Sequence, residues 1–255
     1  MEIGRFGREV KLQKGTLRQI LLITDGCSNS GESPIQSAAN AFKNGITVNV
    51  IGILDDEDSE MNSSLEEVEE IALAGGGFSQ IVYKEDLSQT VQAVTRQAMS
   101  QTLQGFVSKE LANIFGEERS LDEIEPEKRS EVMEVVEDLG ETCNLEVLIL
   151  VDTSASMRDK LLTVKEALID LSMNLHARTG ENLFAVYQFP SKRQTIEMIH
   201  DWSSKLSSIS VIFPKLITGG ITPTGPAIRE AMYQFSKMQL KGDLYDAEEE
   251  YYEDR

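Results

Sequence analysis

Residues 145–157 read LEVLILVDTSASM. Six of the eight residues from Leu145 to Asp152 are apolar, and a short apolar run rich in branched side chains is the pattern of a strand buried on both faces of a parallel sheet. At its carboxyl end stand Asp152, Ser154 and Ser156, one carboxylate and two hydroxyls at alternate positions, before a helical pattern opens at about Lys160. In open α/β sheets, ligands bind in the crevice beyond the carboxyl ends of the strands. Hard oxygen donors gathered there suit a hard divalent cation such as Mg²⁺.

Two further stretches have the same character. Leu17–Asp25, LRQILLITD, is a second buried-strand pattern and runs into Asp25-Gly26. Gly219–Ala227, GGITPTGPA, places Thr222 after two glycines and just ahead of a helical pattern. Taken singly, each stretch has an ordinary structural reading. Asp152 or Ser154 caps the following helix, Asp25-Gly26 is a turn, and Thr222-Pro223 is an N-cap followed by proline at N1.

Taken together, Asp152, Ser154, Ser156, Thr222 and Asp25 resemble the five residues of the metal-ion-dependent adhesion site (MIDAS) of von Willebrand factor type A (VWA) domains. The order along the chain differs from the family's. There the D-x-S-x-S strand comes first, then the threonine loop, then the T-D-G strand; here ITDG lies near the N-terminus and DTSASM past the middle. The chain thus resembles a circularly permuted VWA domain, an arrangement similar to that of VWA proteins of spore-forming bacilli. The resemblance implies a Rossmann-like, doubly wound, mostly parallel six-stranded α/β sheet flanked by helices. One permuted domain is expected over residues 16–240, with 16–115 as the family's second half, 116–144 as a helical linker and 145–240 as its first half.

The resemblance also implies roles. Ser154 and Ser156 would bind the metal through their hydroxyls, and Thr222 directly or through water. Asp152 and Asp25 would hold coordinating waters, or one of them would bind directly. The expected cofactor is Mg²⁺, with Mn²⁺ or Ca²⁺ as alternatives. Two carboxylates balance the cation's charge, so its open position keeps affinity for an Asp or Glu carboxylate of a partner protein. Gly219 and Gly220 would let the threonine loop shift as that anion binds. The function implied is a non-enzymatic, metal-dependent protein-binding module.

Composition is compatible with this. The chain has 255 residues, a length that fits one large α/β domain or two small ones, and 40% are hydrophobic, ample for a packed core. A net charge of −19 argues against nucleic acid or an anionic membrane as partner. No apolar run approaches the ~18 residues of a membrane span, and no signal-peptide core opens the chain. Cys27 and Cys143 are too few for a disulfide framework. They are placed at opposite ends of neighbouring strands, roughly 25 Å apart at ~3.3 Å per residue, beyond bonding reach. Reduced thiols suit the cytoplasm, and Cys27 reads as a packing residue rather than a ligand.

The remaining pattern alternates strand and helix. Residues 1–15 read as an unstructured lead-in and 241–255 as a solvated acidic tail. Ser33-Pro34 opens a helix with serine as cap, and Ile46–Leu54 is a strand followed by a polar loop, Asp55–Asn62. A short strand is expected at Gln80–Tyr83, after Gly75-Gly76-Gly77 stops a helix. A long helical pattern follows from Leu87 to Ile114, then a charged stretch, and a further helix from Pro126 to Gly140. Leu161, Val164, Leu168, Leu171 and Leu175 make one apolar helix face. Leu183–Phe189 and Ile196–Trp202 form a hairpin, a weak helix covers Lys205–Lys215, and a last helix carries Ala227 to Phe235. His176 reads as a helix-end residue, and His200 and Trp202 as packing and edge residues.

Neither half buries enough by itself, and joined they put Leu17–Asp25 beside Leu145–Asp152. A monomer is expected, with a dimer that swaps halves as the rival assembly. The chain has no Walker A loop, G-x-S-x-G elbow, H-E-x-x-H or Rossmann glycine triplet after a strand. An enzymatic alternative casts Asp152 as an attacking carboxylate in Mg²⁺-assisted phosphoryl transfer, without an obvious lysine or histidine at a strand end. Another alternative makes the chain an accessory subunit of an ATPase or chelatase complex.

Overall fold

Ile20, Leu21, Leu22 and Ile23 are fully buried, and so are Val147 to Val151. Those two runs are the central strands of a six-stranded sheet. The structure, a computed structural model, describes residues 15–26, 28–54, 61–115 and 126–253. Expectations for residues 1–14, Cys27, the loop at 55–60 and the charged stretch at 116–125 lie outside the described residues.

The elements run β1 (Thr16–Thr24), α1 (Pro34–Lys43), β2 (Ile46–Leu54), α2 (Met61–Ala74), β3 (Gly76–Tyr83), α3 (Leu87–Phe115), α4 (Pro126–Thr142), β4 (Asn144–Asp152), α5 (Leu161–Leu175), β5 (Asn182–Phe189), β6 (Glu197–Ser203), α6 (Ile209–Ile212) and α7 (Thr224–Glu253). The strand order is β3-β2-β1-β4-β5-β6. All neighbouring pairs are parallel except β5 with β6. This is a doubly wound α/β fold.

Alternation of side chains along β1 and β4 divides the core into two layers. Leu21, Ile23, Val147, Ile149 and Val151 pack with Leu87 and Val91 of α3, Val136 of α4, and Val164 and Leu168 of α5. Ile20, Leu22, Leu148 and Leu150 pack with Ala38 of α1, Val68 and Ile71 of α2, and Ala227 and Ile228 of α7. Burying each of the valine, leucine and isoleucine side chains contributes about 1.5–3 kcal/mol, and both faces must be covered, which is why the runs are apolar throughout.

Local signals place the helices. Ser33 Oγ accepts from the Gln36 N–H at the start of α1, with proline following the cap. Gly45, at φ +74°, releases the chain from α1 into β2. In α5, Leu161, Val164, Leu168, Leu171 and Leu175 are all buried, the face that the spacing predicts.

Three elements depart from expectation. β3 starts at Gly76 rather than Gln80. Its glycines pack against the sheet: a Cβ on Gly76 would lie 2.3 Å from the Phe42 ring, and one on Gly77 would lie 2.3 Å from the Val48 carbonyl oxygen. The weak helix at 205–215 shrinks to one turn, α6, and a 3₁₀ turn over Phe213–Lys215. The final helix continues to Glu253, where an unstructured tail is expected from composition.

The chain winds outward in two directions. From β1 it crosses to β2 and β3; from β4 it crosses to β5. The loops leaving β1 and β4 therefore diverge to opposite faces, and a crevice opens between their carboxyl ends.

Candidate metal centre

Ile23 and Val151 are register partners on β1 and β4, so Thr24 and Asp152 end their strands side by side. Thr24 Oγ1 donates to Asp152 Oδ2 at 2.7 Å. The other oxygen, Oδ1, accepts from the Ser154 N–H at 2.7 Å. A 3₁₀ segment, Ala155–Asp159, then curls the chain and brings Ser156 Oγ within 3.1 Å of Ser154 Oγ. Ser156 Oγ also donates to Asp25 Oδ1 at 2.8 Å. A continuous hydrogen-bonded chain thus crosses the seam between β1 and β4, from Thr24 through Asp152, Ser154 and Ser156 to Asp25.

Burial shapes its electrostatics. Asp152 is fully buried, and loss of water pushes its carboxyl up to about 6. Hydrogen bonds from Ser154 and Thr24 oppose that rise, and the nearby charge of Asp25 adds to it.

Thr222, itself buried, joins this end of the sheet through its backbone. Its N–H donates to Asn29 Oδ1 at 2.7 Å, and its carbonyl accepts from Asn29 N–H at 3.1 Å and Ser28 Oγ at 3.3 Å. Three residues earlier, Gly219 N–H donates to the Thr153 carbonyl at 2.9 Å. The threonine loop is therefore tied on one side to the loop after β1 and on the other to the end of β4. Gly219 and Gly220 have φ of +148° and +95°, values that side-chain-bearing residues rarely adopt. Close packing continues into α7: a Cβ on Gly225 would lie 2.1 Å from the Glu32 carbonyl oxygen.

All five residues singled out from the sequence thus lie at one end of the sheet. Asp152, Ser154, Ser156 and Asp25 are joined by direct bonds, and Thr222 is held by its own loop. The donors are carboxylates and hydroxyls. Among the described residues no group of three or more His, Cys, Asp or Glu side chains gathers as a metal site. The donor set fits a hard cation such as Mg²⁺, Mn²⁺ or Ca²⁺ rather than a thiolate- or imidazole-bound metal.

One residue of the site is not foreseen from sequence. Lys160 Nζ lies 2.7 Å from Asp25 Oδ2, and the two side chains are only 2% and 1% exposed. A lysine at the start of a helix reads as a solvated residue. The 3₁₀ turn ahead of it carries it inward instead. Its one sequence signal is a cation four residues beyond the hydroxyl motif. Thr24 belongs to the ITDG stretch that carries the resemblance, where it has no role of its own assigned.

The histidines play other parts. His176 caps the C-terminus of α5. His200 Nδ1 lies 2.8 Å from Ser208 Oγ, and burial lowers its pKa. Trp202 packs on Phe235, ring centroids 5.2 Å apart. Among the described residues no helix is long and apolar enough to cross a membrane.

No known protein-family profile matches the chain. It is 58% identical to the protein described as uncharacterized protein YabS of Bacillus subtilis (strain 168) over 238 residues, covering 93% of this chain and 97% of that one. A crystal structure of an uncharacterized protein from Alicyclobacillus acidocaldarius matches with a TM-score of 0.79 and 40% identity, over 89% of this chain and 96% of that one. Proximal thread matrix protein 1 from the mussel byssus, solved in one case with a zinc-occupied MIDAS motif, matches with a TM-score of 0.25 and 17% identity over 81% of this chain and 43% of that one, too low to carry an argument. At that identity and coverage to the Bacillus protein, the chain belongs to the YabS family.

Proposed function

We propose that this protein is a metal-dependent protein-binding module, a circularly permuted VWA domain that uses Asp152, Ser154, Ser156, Thr222 and Asp25 as its MIDAS and captures an acidic side chain of a partner. The observation that carries this reading is the chain of hydrogen bonds from Asp152 through Ser154 and Ser156 to Asp25. It gathers two carboxylates and two hydroxyls across the switch point of the sheet, with the threonine loop fastened alongside. A bound Mg²⁺ would supply a Lewis-acidic position at which a partner's carboxylate displaces water. Ser154 and Ser156 would hold it through hydroxyl lone pairs, Asp152 and Asp25 would supply the opposing charge, and Thr222 would complete the oxygen set. We place the activity in the cytoplasm, with one chain as the working unit.

The reading is tested by affinity capture from cell extract with the full chain, in Mg²⁺ and in EDTA. Partners are expected in Mg²⁺ only, and Asp152→Ala and Thr222→Ala should abolish them while circular dichroism stays unchanged. Recovery of the same partners in EDTA would overturn it. Capture of a Mg²⁺-dependent ATPase or chelatase component would make the chain an accessory subunit that uses this same site.

One observation favours a second reading, phosphoryl transfer with Asp152 as nucleophile: Lys160 supplies the cation that such chemistry needs. Against it, Asp152 is fully buried and both its oxygens already accept hydrogen bonds. Hydrolysis of a generic phosphate ester by pure protein, lost in Asp152→Asn, would establish that reading instead.

A further inference from the structure

Lys160 sits in a place where an ammonium group is costly. Moving one from water to a protein interior costs several kcal/mol unless it is paired, and an apolar residue often serves stability as well. Here the group is paired with Asp25 Oδ2, while Ser156 Oγ holds Oδ1 of the same carboxylate. Both oxygens of Asp25 are therefore engaged within the chain, one by a cation. Among the described residues, the bonded cluster holds the carboxylates of Asp152 and Asp25, and the Lys160 ammonium makes it one unit less negative than a neutral residue there would. With a divalent cation bound, the same lysine leaves the cluster one unit more positive than a neutral residue there would.

Resting on the metal-site reading above, we infer that Lys160 is an intramolecular counter-cation that competes for Asp25, weakens the site's hold on a divalent ion and makes the loaded site one charge more attractive to an anionic ligand. Two effects of opposite sign follow from one charge. Repulsion between the ammonium and the incoming cation lowers metal affinity. The same residual charge strengthens binding of a carboxylate over neutral water at the open position. Metal and partner carboxylate then bind with positive coupling, each favouring the other by the same factor. Arg158, exposed beside the threonine loop and bonded to Thr218 Oγ1 at 3.2 Å, adds a second cation at the rim. The ligand that this arrangement fits is an Asp or Glu side chain, or a chain-terminal carboxylate, presented together with the metal.

Lys160 is on this account a positioning and charge-setting residue, and its removal separates the two roles. Mn²⁺ binding to the full chain is titrated at pH 8 by the electron paramagnetic resonance signal of free Mn²⁺, with and without acetate as carboxylate probe. Lys160→Met is expected to bind Mn²⁺ at least about tenfold more tightly than wild type, and to lose most of the gain in affinity that acetate gives wild type. Lys160→Arg, which keeps the charge, should stay within about threefold of wild type on both counts. Lys160→Gln serves as the neutral variant if Lys160→Met does not fold by circular dichroism. Unchanged or weaker Mn²⁺ binding in a folded neutral variant overturns the inference, because a purely structural support for Asp25 gives that result. Absence of Mn²⁺ binding by wild type itself overturns the metal-site reading, and the inference falls with it.

Discussion

Thr24 Oγ1 donates to Asp152 Oδ2 at 2.7 Å, joining the ends of two neighbouring strands from 128 positions apart in the chain. The bond is buried and its acceptor carries charge, which puts it in the stronger class of hydrogen bonds. Thr24→Val keeps the shape and removes the donor. At pH 7.5 the metal-free fold should lose about 1–3 kcal/mol, the cost of stranding a buried acceptor. At pH 4.5 the loss should shrink, because a carboxyl with a pKa of about 6 is then protonated. Denaturation in EDTA at the two pH values checks this, and equal losses at both would contradict it.

Asp152 itself works against metal-free stability. Its folded pKa of about 6 exceeds the ordinary 3.8, so between those values the folded state holds more protons than the unfolded one. Stability contributed by this group therefore falls as pH rises through that window, and the cost persists above it. Asp152→Asn keeps the acceptor for Ser154 N–H, and the Thr24 hydroxyl turns to accept from the new amide. In EDTA at pH 7.5 the variant should exceed wild type by up to about 3 kcal/mol, at 1.36 kcal/mol per pKa unit, with the difference vanishing near pH 4. Thermal melts in EDTA across that range measure it. A less stable variant at pH 7.5 would count against burial as the source of the shift.

The threonine loop depends on glycine where its backbone turns. Gly220 has φ +95°, and a Cβ there would come within 3.2 Å of the Pro190 ring. Gly220→Ala should cost about 1–2 kcal/mol from the left-handed backbone alone. It should also weaken Mn²⁺ binding severalfold, since Thr222 is carried by the same loop. Gly15→Ala, where nothing lies within 4 Å, is the control and should leave Mn²⁺ affinity unchanged.

Far from the site, Arg178 binds the chain together at the opposite end of the sheet. The buried guanidinium donates to the Gly140 carbonyl at 2.7 Å, to the Cys143 carbonyl at 2.8 Å and to Asn182 Oδ1. It thereby caps the end of α4 where that helix leads into β4. Arg178→Met leaves those acceptors without their donor and should destabilise by about 2–4 kcal/mol. Amide exchange at residues 140–145 should rise first, with Mn²⁺ affinity per folded chain unaltered.

What was legible in the sequence followed from burial on both faces. The runs at Leu17–Thr24, Ile46–Leu54 and Leu145–Asp152 could hardly be solvated, and the helix from Leu161 showed its apolar stripe. The meeting of Asp25 with Ser156 was legible only through resemblance to a known constellation, because no local rule joins residues on separate strands. Lys160 was hidden for a different reason. Whether a lysine at a helix start faces water or the interior depends on the 3₁₀ turn of Ala155–Asp159, which has no periodicity to read. The start of β3 was hidden too, since three consecutive glycines signal a loop whether or not a sheet edge needs their lack of side chains.

The metal-site proposal requires that the acids and hydroxyls gathered at the ends of β1 and β4 hold one cation between them. Isothermal titration of the chain with MnCl₂ decides this. One ion per chain is expected, with Ser154→Ala and Asp152→Ala each removing the binding while the far-ultraviolet circular dichroism is preserved. Folded wild-type protein that takes up no ion, or uptake that survives both substitutions, would contradict it.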